Sequence, residues 1–185
     1  HSQEPQHQHG EKQTHQEHAH SKEKVRADLD DFPTLHPLVV HFPIVLLLLA
    51  FFAQGASLFV FKNELSWVAL FLLVGGFIGA YVAGEYVHPH TTGLTDKAAK
   101  VLEEHETYAN YTLWLSGIAI LLKMASHFLL KRKLWAEVVV TVVLIVSAWC
   151  VSMAGHYGAQ LTYLEGVGPQ GKFLEMNGHE EDHRH

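Results

Sequence analysis

Residues 37–61 read PLVVHFPIVLLLLAFFAQGASLFVF, and after the short break Lys62, Asn63, Glu64 residues 65–87 read LSWVALFLLVGGFIGAYVAGEYV. Crossing a bilayer core about 30 Å thick takes roughly 20 apolar residues as a helix, because each backbone donor must find its acceptor within the segment. Both stretches meet that length and are apolar around the whole circumference, which a half-exposed amphipathic helix is not. The same reading applies to 108–130 and 134–155, joined by Lys131, Arg132 and Lys133. Four such helices make up most of the chain and leave nothing to cover them from water. The sequence therefore predicts an all-α protein: a four-helix transmembrane bundle over 34–165, a His-rich polar tail over 1–33 and a second over 166–185.

The short connections fix a topology. If the helices alternate, Lys62 and the Lys131, Arg132, Lys133 turn lie on one side with Lys123 near them, the side that the positive-inside rule assigns to the cytoplasm. Both termini then face outward, as does the acidic loop with Asp96, Glu103, Glu104 and Glu106. Trp67 and Trp135 mark the inner interface, whereas Tyr81, Tyr86, Tyr108, Tyr111, Tyr157 and Tyr163 form an outer aromatic belt. A start at His1 rather than Met fits either a trimmed chain or a removed secretory signal, the second being compatible with an outward N-terminus. Both tails, rich in His, Gln, Glu and Lys, hold little to bury and are expected to be disordered. Within the second span, Gly75 and Gly79 form a small-x-x-x-small pair that Ala80 and Gly84 extend, a pattern that lets a neighbouring helix come close.

Composition excludes several functions. The 185 residues carry 13 Lys+Arg against 19 Asp+Glu, a net charge of -6, with no basic run longer than Lys131, Arg132, Lys133. Nucleic acid is thereby ruled out as the leading partner, since neutralising phosphates needs a basic patch. The single cysteine, Cys150, forms no internal disulfide, and no C-x-x-C-H is present for covalent c-type haem. Cys150 has no nearby partner in sequence and the serines have no G-x-S-x-G context, so nothing indicates a catalytic nucleophile.

Sixteen histidines remain as the anomaly. On the predicted topology only His127 lies away from the outer side. His36, His41, His88, His90, His105 and His156 fall at the outer ends of the four spans, where bundle formation brings them together. Pro37 suits the first helical position and places His36 at the entrance. Pro43 removes a donor from the carbonyl of Val39, so the first helix is expected to bend or only begin near His41. His105 opens the third span, with Ala109, Thr112 and Ser116 below it as a narrow small-residue face, and His156 closes the fourth.

Neutral imidazole is the commonest nitrogen ligand for zinc, copper, iron and haem, and a cluster drawn from all four helices points to a site. Any one of these histidines has an ordinary alternative, a hydrogen bond at the interface. Glu85 and Glu104, together with Glu103 and Glu106, are candidates for orienting an imidazole from behind, or for a solvated loop. In the tail, the pairs His7, His9 and His18, His20 have a composition that captures Cu or Zn loosely.

The segment from His36 through Pro37, Val40, His41, Phe42 and Pro43 to Ile44 resembles the H-P-x-x-V-H-F-P-I opening of a bacterial four-helix membrane family, domain of unknown function 2231. The run Gly155, His156, Tyr157, Gly158, Ala159, Gln160, Leu161, Thr162, Tyr163 with Gly166, Val167, Gly168 is similar to its closing motif, and His105 sits where its third helix often starts with His. The resemblance spans about 35–168 and leaves the tails outside. It implies an outward-facing, histidine-lined bundle in the bacterial inner membrane, often found in company with cytochrome or redox domains. No such domain is fused here, so an electron partner would be a separate subunit.

Three functions follow. In the first, His41, His105 and His156 with their neighbours hold haem b or a redox metal for electron transfer, an arrangement that helix bundles support. In the second, the tails capture Cu or Zn and the bundle histidines hold it near the outer interface. In the third, the chain is a structural subunit of a larger membrane complex. The first ranks ahead, because histidines of separate helices at one depth suit a haem; enzymatic turnover is left open.

Overall fold

The structure, a computed structural model, describes residues 34–86, 90–168 and Phe173. Four helices follow one another: α1 (His36–Ser57), α2 (Glu64–Glu85), α3 (Asp96–Phe128) and α4 (Leu134–Tyr163). They pack as two hairpins, α1 on α2 and α3 on α4, which then meet more lightly through α2 with α3 and α1 with α4. The tight turns after α1 and α3 lie at one end of the bundle, called here the turn end; the helix ends carrying His36 and Tyr163 lie at the open end.

Three helices, α1, α2 and α4, are long and apolar enough to cross a membrane. Their outward faces carry Phe52, Phe71 and Trp149, each more than 60% exposed. Apolar surface on that scale is stable against lipid and not against water. The sequence predicts a fourth span over 108–130; α3 covers it but holds Thr112, Ser116, Lys123 and Ser126 on its buried face, which lowers its hydropathy.

The hydropathy pattern underestimates α3 and α4. The former begins at Asp96, where Thr95 accepts a hydrogen bond from the Ala98 amide, a standard N-cap. His105 therefore sits more than two turns inside its helix rather than at its start, and α4 continues past His156 to Tyr163. These extensions stay helical because they bury each other. Ala98, Val101, Leu161 and Val167 form a small second core beside Tyr157 and Phe173, and Lys97 pairs with Glu165 at 2.6 Å. Gly166 and Gly168, with φ of 68° and 94°, turn the chain back so that Val167 reaches this core.

The main core is a layer of Leu47, Ala50, Leu73, Ala119, Val140, Leu144 and Val151. Close approach of α1 to α2 rests on Gly76 and Gly79 more than on the expected Gly75 and Gly79 pair. A β-carbon on Gly76 would stand 2.7 Å from the Leu47 side chain, and one on Gly79 would stand 3.1 Å from Pro43 Cδ, while Gly84 faces open space. Pro43 lies buried inside an uninterrupted α1, so the helix does not start afresh after His41. A ring in place of a donor is tolerated there because the opposing glycine leaves it room. Gly76→Ala should cost about 1–3 kcal/mol by forcing Leu47 out of its rotamer. Gly55→Ala, with nothing within 4 Å, should be neutral or mildly stabilising; denaturant unfolding in mixed micelles distinguishes the two.

Candidate functional site

At the open end α1 and α3 bring His36 and His105 together. The His36 ring stands 6.3 Å from that of His105, centroid to centroid, at an interplanar angle of 74°. Each imidazole is held from behind by a helix carbonyl: His36 Nδ1 lies 3.2 Å from the Ala83 oxygen of α2, and His105 Nδ1 lies 2.9 Å from the Ala154 oxygen of α4. A carbonyl only accepts, so each Nδ1 donates, which makes Nε2 the nitrogen carrying the lone pair. That is the tautomer and the backing that a metal-ligating imidazole uses. Gly158 permits it, since a β-carbon there would crowd the His105 ring at 3.3 Å. All four helices thus contribute to the pair.

None of the other described candidates joins it in a group of three metal-holding side chains. His41 is exposed and turns its Nδ1 onto the Pro37 carbonyl of its own helix at 2.5 Å. His156 is exposed, packs edge-on to Tyr157 with centroids 5.7 Å apart, and lines a shallow surface hollow with Ala159, Gln160, Tyr163 and Leu164. His90 is exposed in the loop before α3, and Glu85, Glu103, Glu104 and Glu106 are exposed as well. His88 and the tail histidines His7, His9, His18 and His20 lie outside the described residues. Among the described residues no group of three or more His, Cys, Asp or Glu side chains is assembled as a metal site.

A second polar assembly sits at the turn end, and the histidine pattern gives no hint of it. Lys123 and Glu137 are 1% and 3% exposed, and Lys123 Nζ meets Glu137 Oε2 at 2.6 Å. The same ammonium donates to Ser66 Oγ at 2.6 Å, and Ser66 Oγ lies 2.9 Å from His127 Nε2. Gln54 Nε2 donates to Glu137 Oε2 at 2.9 Å and Ser126 Oγ to Oε1 at 2.6 Å. Arg132 completes the set, its Nε 3.7 Å from Glu137 Oε1. Lys131 and Arg132 both take left-handed backbone angles in the tight turn that leads into the start of α4. The sequence reading treats Lys123 as a loop charge, passes over Glu137 and sets His127 aside. A carboxylate four residues inside an apolar span was the available signal, because an ionisable group at that depth is retained only with a partner.

The family model described as "Predicted membrane protein (DUF2231)" matches residues 33–171. The chain belongs to this family. The DUF2231 match takes in every helix and both polar assemblies, and ends six residues into the C-terminal tail. No curated protein and no solved structure matches the chain.

Removing one partner of a buried ion pair strands the other, so Glu137→Ala should destabilise the protein by about 3–5 kcal/mol. Replacing both members together, Lys123→Met with Glu137→Leu, should recover most of that loss. Unfolding of the single and double variants in mixed micelles measures the difference.

Proposed function

We propose that this membrane protein binds a redox metal through His36 and His105 and serves as an electron-transfer subunit working with a separate partner. The observation that carries the reading is the pair itself: two imidazoles from different helices, each with Nδ1 committed to a carbonyl. With a metal about 2.0–2.1 Å from each Nε2, two ring centroids stand roughly 5 to 6.5 Å apart, depending on the angle at the metal. The observed separation of 6.3 Å falls within that span.

A single ion fits these residues better than haem b does. Porphyrin needs a wide slot beside its axial ligands, whereas Ala83 and Ala154 are buried here and Gly158 closes on the His105 ring. Imidazole nitrogens suit copper, zinc and iron, and of these copper or iron supports electron transfer. When bound, the ion supplies the one-electron chemistry. The chain's own residues would orient the ring nitrogens and set the surroundings, with α1 and α3 supplying the ligands and α2 and α4 the backing carbonyls.

Elemental analysis and a reduced-minus-oxidised visible spectrum of the full chain, purified from its own membrane, test the proposal. Near-stoichiometric copper or iron, lost in His36→Ala and in His105→Ala and kept in His127→Ala, is the expected result. Equal metal content in the wild type and both open-end variants would overturn it, as would a wild-type chain with no metal. A haem band abolished by the same two substitutions would keep the ligands and replace the ion by haem b.

A further inference from the structure

The turn-end assembly holds more charge than a structural clip requires. Two cations, Lys123 and Arg132, share one carboxylate, Glu137, so the carboxylate keeps a counter-ion even when one cation becomes neutral. Arginine stays protonated in proteins, and lysine is the member able to lose its proton. Neutral groups surround the rest: the amide nitrogen of Gln54 from α1 and the hydroxyls of Ser66 from α2 and Ser126 from α3.

The hydrogen bonds also have a direction. Lys123 Nζ is a donor with no accepting lone pair, so Ser66 Oγ accepts from it. In the His127 tautomer that carries its proton on Nδ1, the hydroxyl's own proton is donated to Nε2. A donor chain therefore runs from a side chain 1% exposed to a half-buried imidazole in the last turn of α3, with Trp67 packed against that ring at 4.5 Å. In the other direction the network is closed: Leu47, Leu73, Ala119, Val140 and Leu144, none more than 2% exposed, lie between it and the open end.

We propose that Lys123 exchanges protons with water at the turn end through Ser66 and His127, which makes the buried network a proton-loading site with access from one side. On release, the Nζ–H bond of Lys123 breaks as an O–H bond forms at Ser66, and the hydroxyl's original proton passes to His127 Nε2. The products are a neutral amine, an intact hydroxyl and an imidazolium, which gives up its Nδ1 proton to water. Uptake is the reverse, and no electron is transferred. Glu137 remains a carboxylate throughout, paired with Arg132 when Lys123 is neutral. Metal at the open end plays no part in this step.

The test is hydrogen exchange at the lysine amine. The full chain is labelled with ¹⁵N-lysine and placed in lipid nanodiscs, the Lys123 resonance is assigned by its absence from Lys123→Arg, and exchange of its Nζ protons with water is followed by NMR. Exchange faster than burial alone allows is expected in the wild type, slowed by about tenfold or more when either link of the relay is cut, in Ser66→Ala or in His127→Phe. The phenylalanine keeps the packing on Trp67, so His127→Phe decides the matter if Ser66→Ala fails to fold. Equal rates in wild type and variants, or Lys123 protons that do not exchange in the wild type, would show a static ion pair and overturn the proposal.

Discussion

Lipid gives two helices little reason to prefer one face over another, because hydrocarbon tails are as apolar as leucine. Under that constraint a buried charge pair has an influence out of proportion to its size. An ammonium and a carboxylate inside the bundle are tolerable only with every neighbour turned towards them, and the Lys123–Glu137 contact draws one from each helix: Gln54 from α1, Ser66 from α2, Ser126 from α3 and, through Gln54, Thr141 from α4. Rotating or sliding any helix by a residue would strand one of these groups. The register of the turn end is therefore set by electrostatics and hydrogen bonding. Close packing sets the middle of the bundle, where Leu47 fits against Gly76.

The open end follows a different logic. Its imidazoles are tied to main-chain carbonyls. A carbonyl backing fixes a tautomer without adding charge. Lys123 and Glu137 hold each other as an ion pair, whereas His36 and His105 are each oriented by a main-chain carbonyl. An apolar layer centred on Leu47, Leu73 and Leu144 keeps the two kinds of site apart.

Hydropathy and composition made the helices legible in the sequence, because lipid-facing and core-facing positions are both apolar and the spans read as unbroken runs. They missed the polar beginning of α3 and the end of α4, whose helicity rests on mutual burial of Ala98, Val101 and Leu161, a long-range fact that no local window contains. Of the histidines, His36 and His105 meet because their helices lie diagonally across the bundle; His41 sits just over one turn from His36 yet projects outward. Depth along the membrane could be counted from the sequence, but the facing of each ring could not. Lys123 and Glu137 were hidden for a similar reason: each is a lone charge in the apolar stretch of its helix, and the pairing that gives it meaning lies 14 residues away.

That separation bears on how the protein is made. Lys123 and Glu137 belong to one helical hairpin, α3 with α4, joined by the turn that also supplies Arg132. As the nascent chain enters the bilayer, this half can neutralise its own carboxylate before it meets the other half. The α1–α2 half brings only the uncharged Gln54 and Ser66 to the junction. Neither insertion intermediate has to carry an unmatched ion through hydrocarbon, so the two halves can be threaded in sequence and assembled afterwards by lateral diffusion.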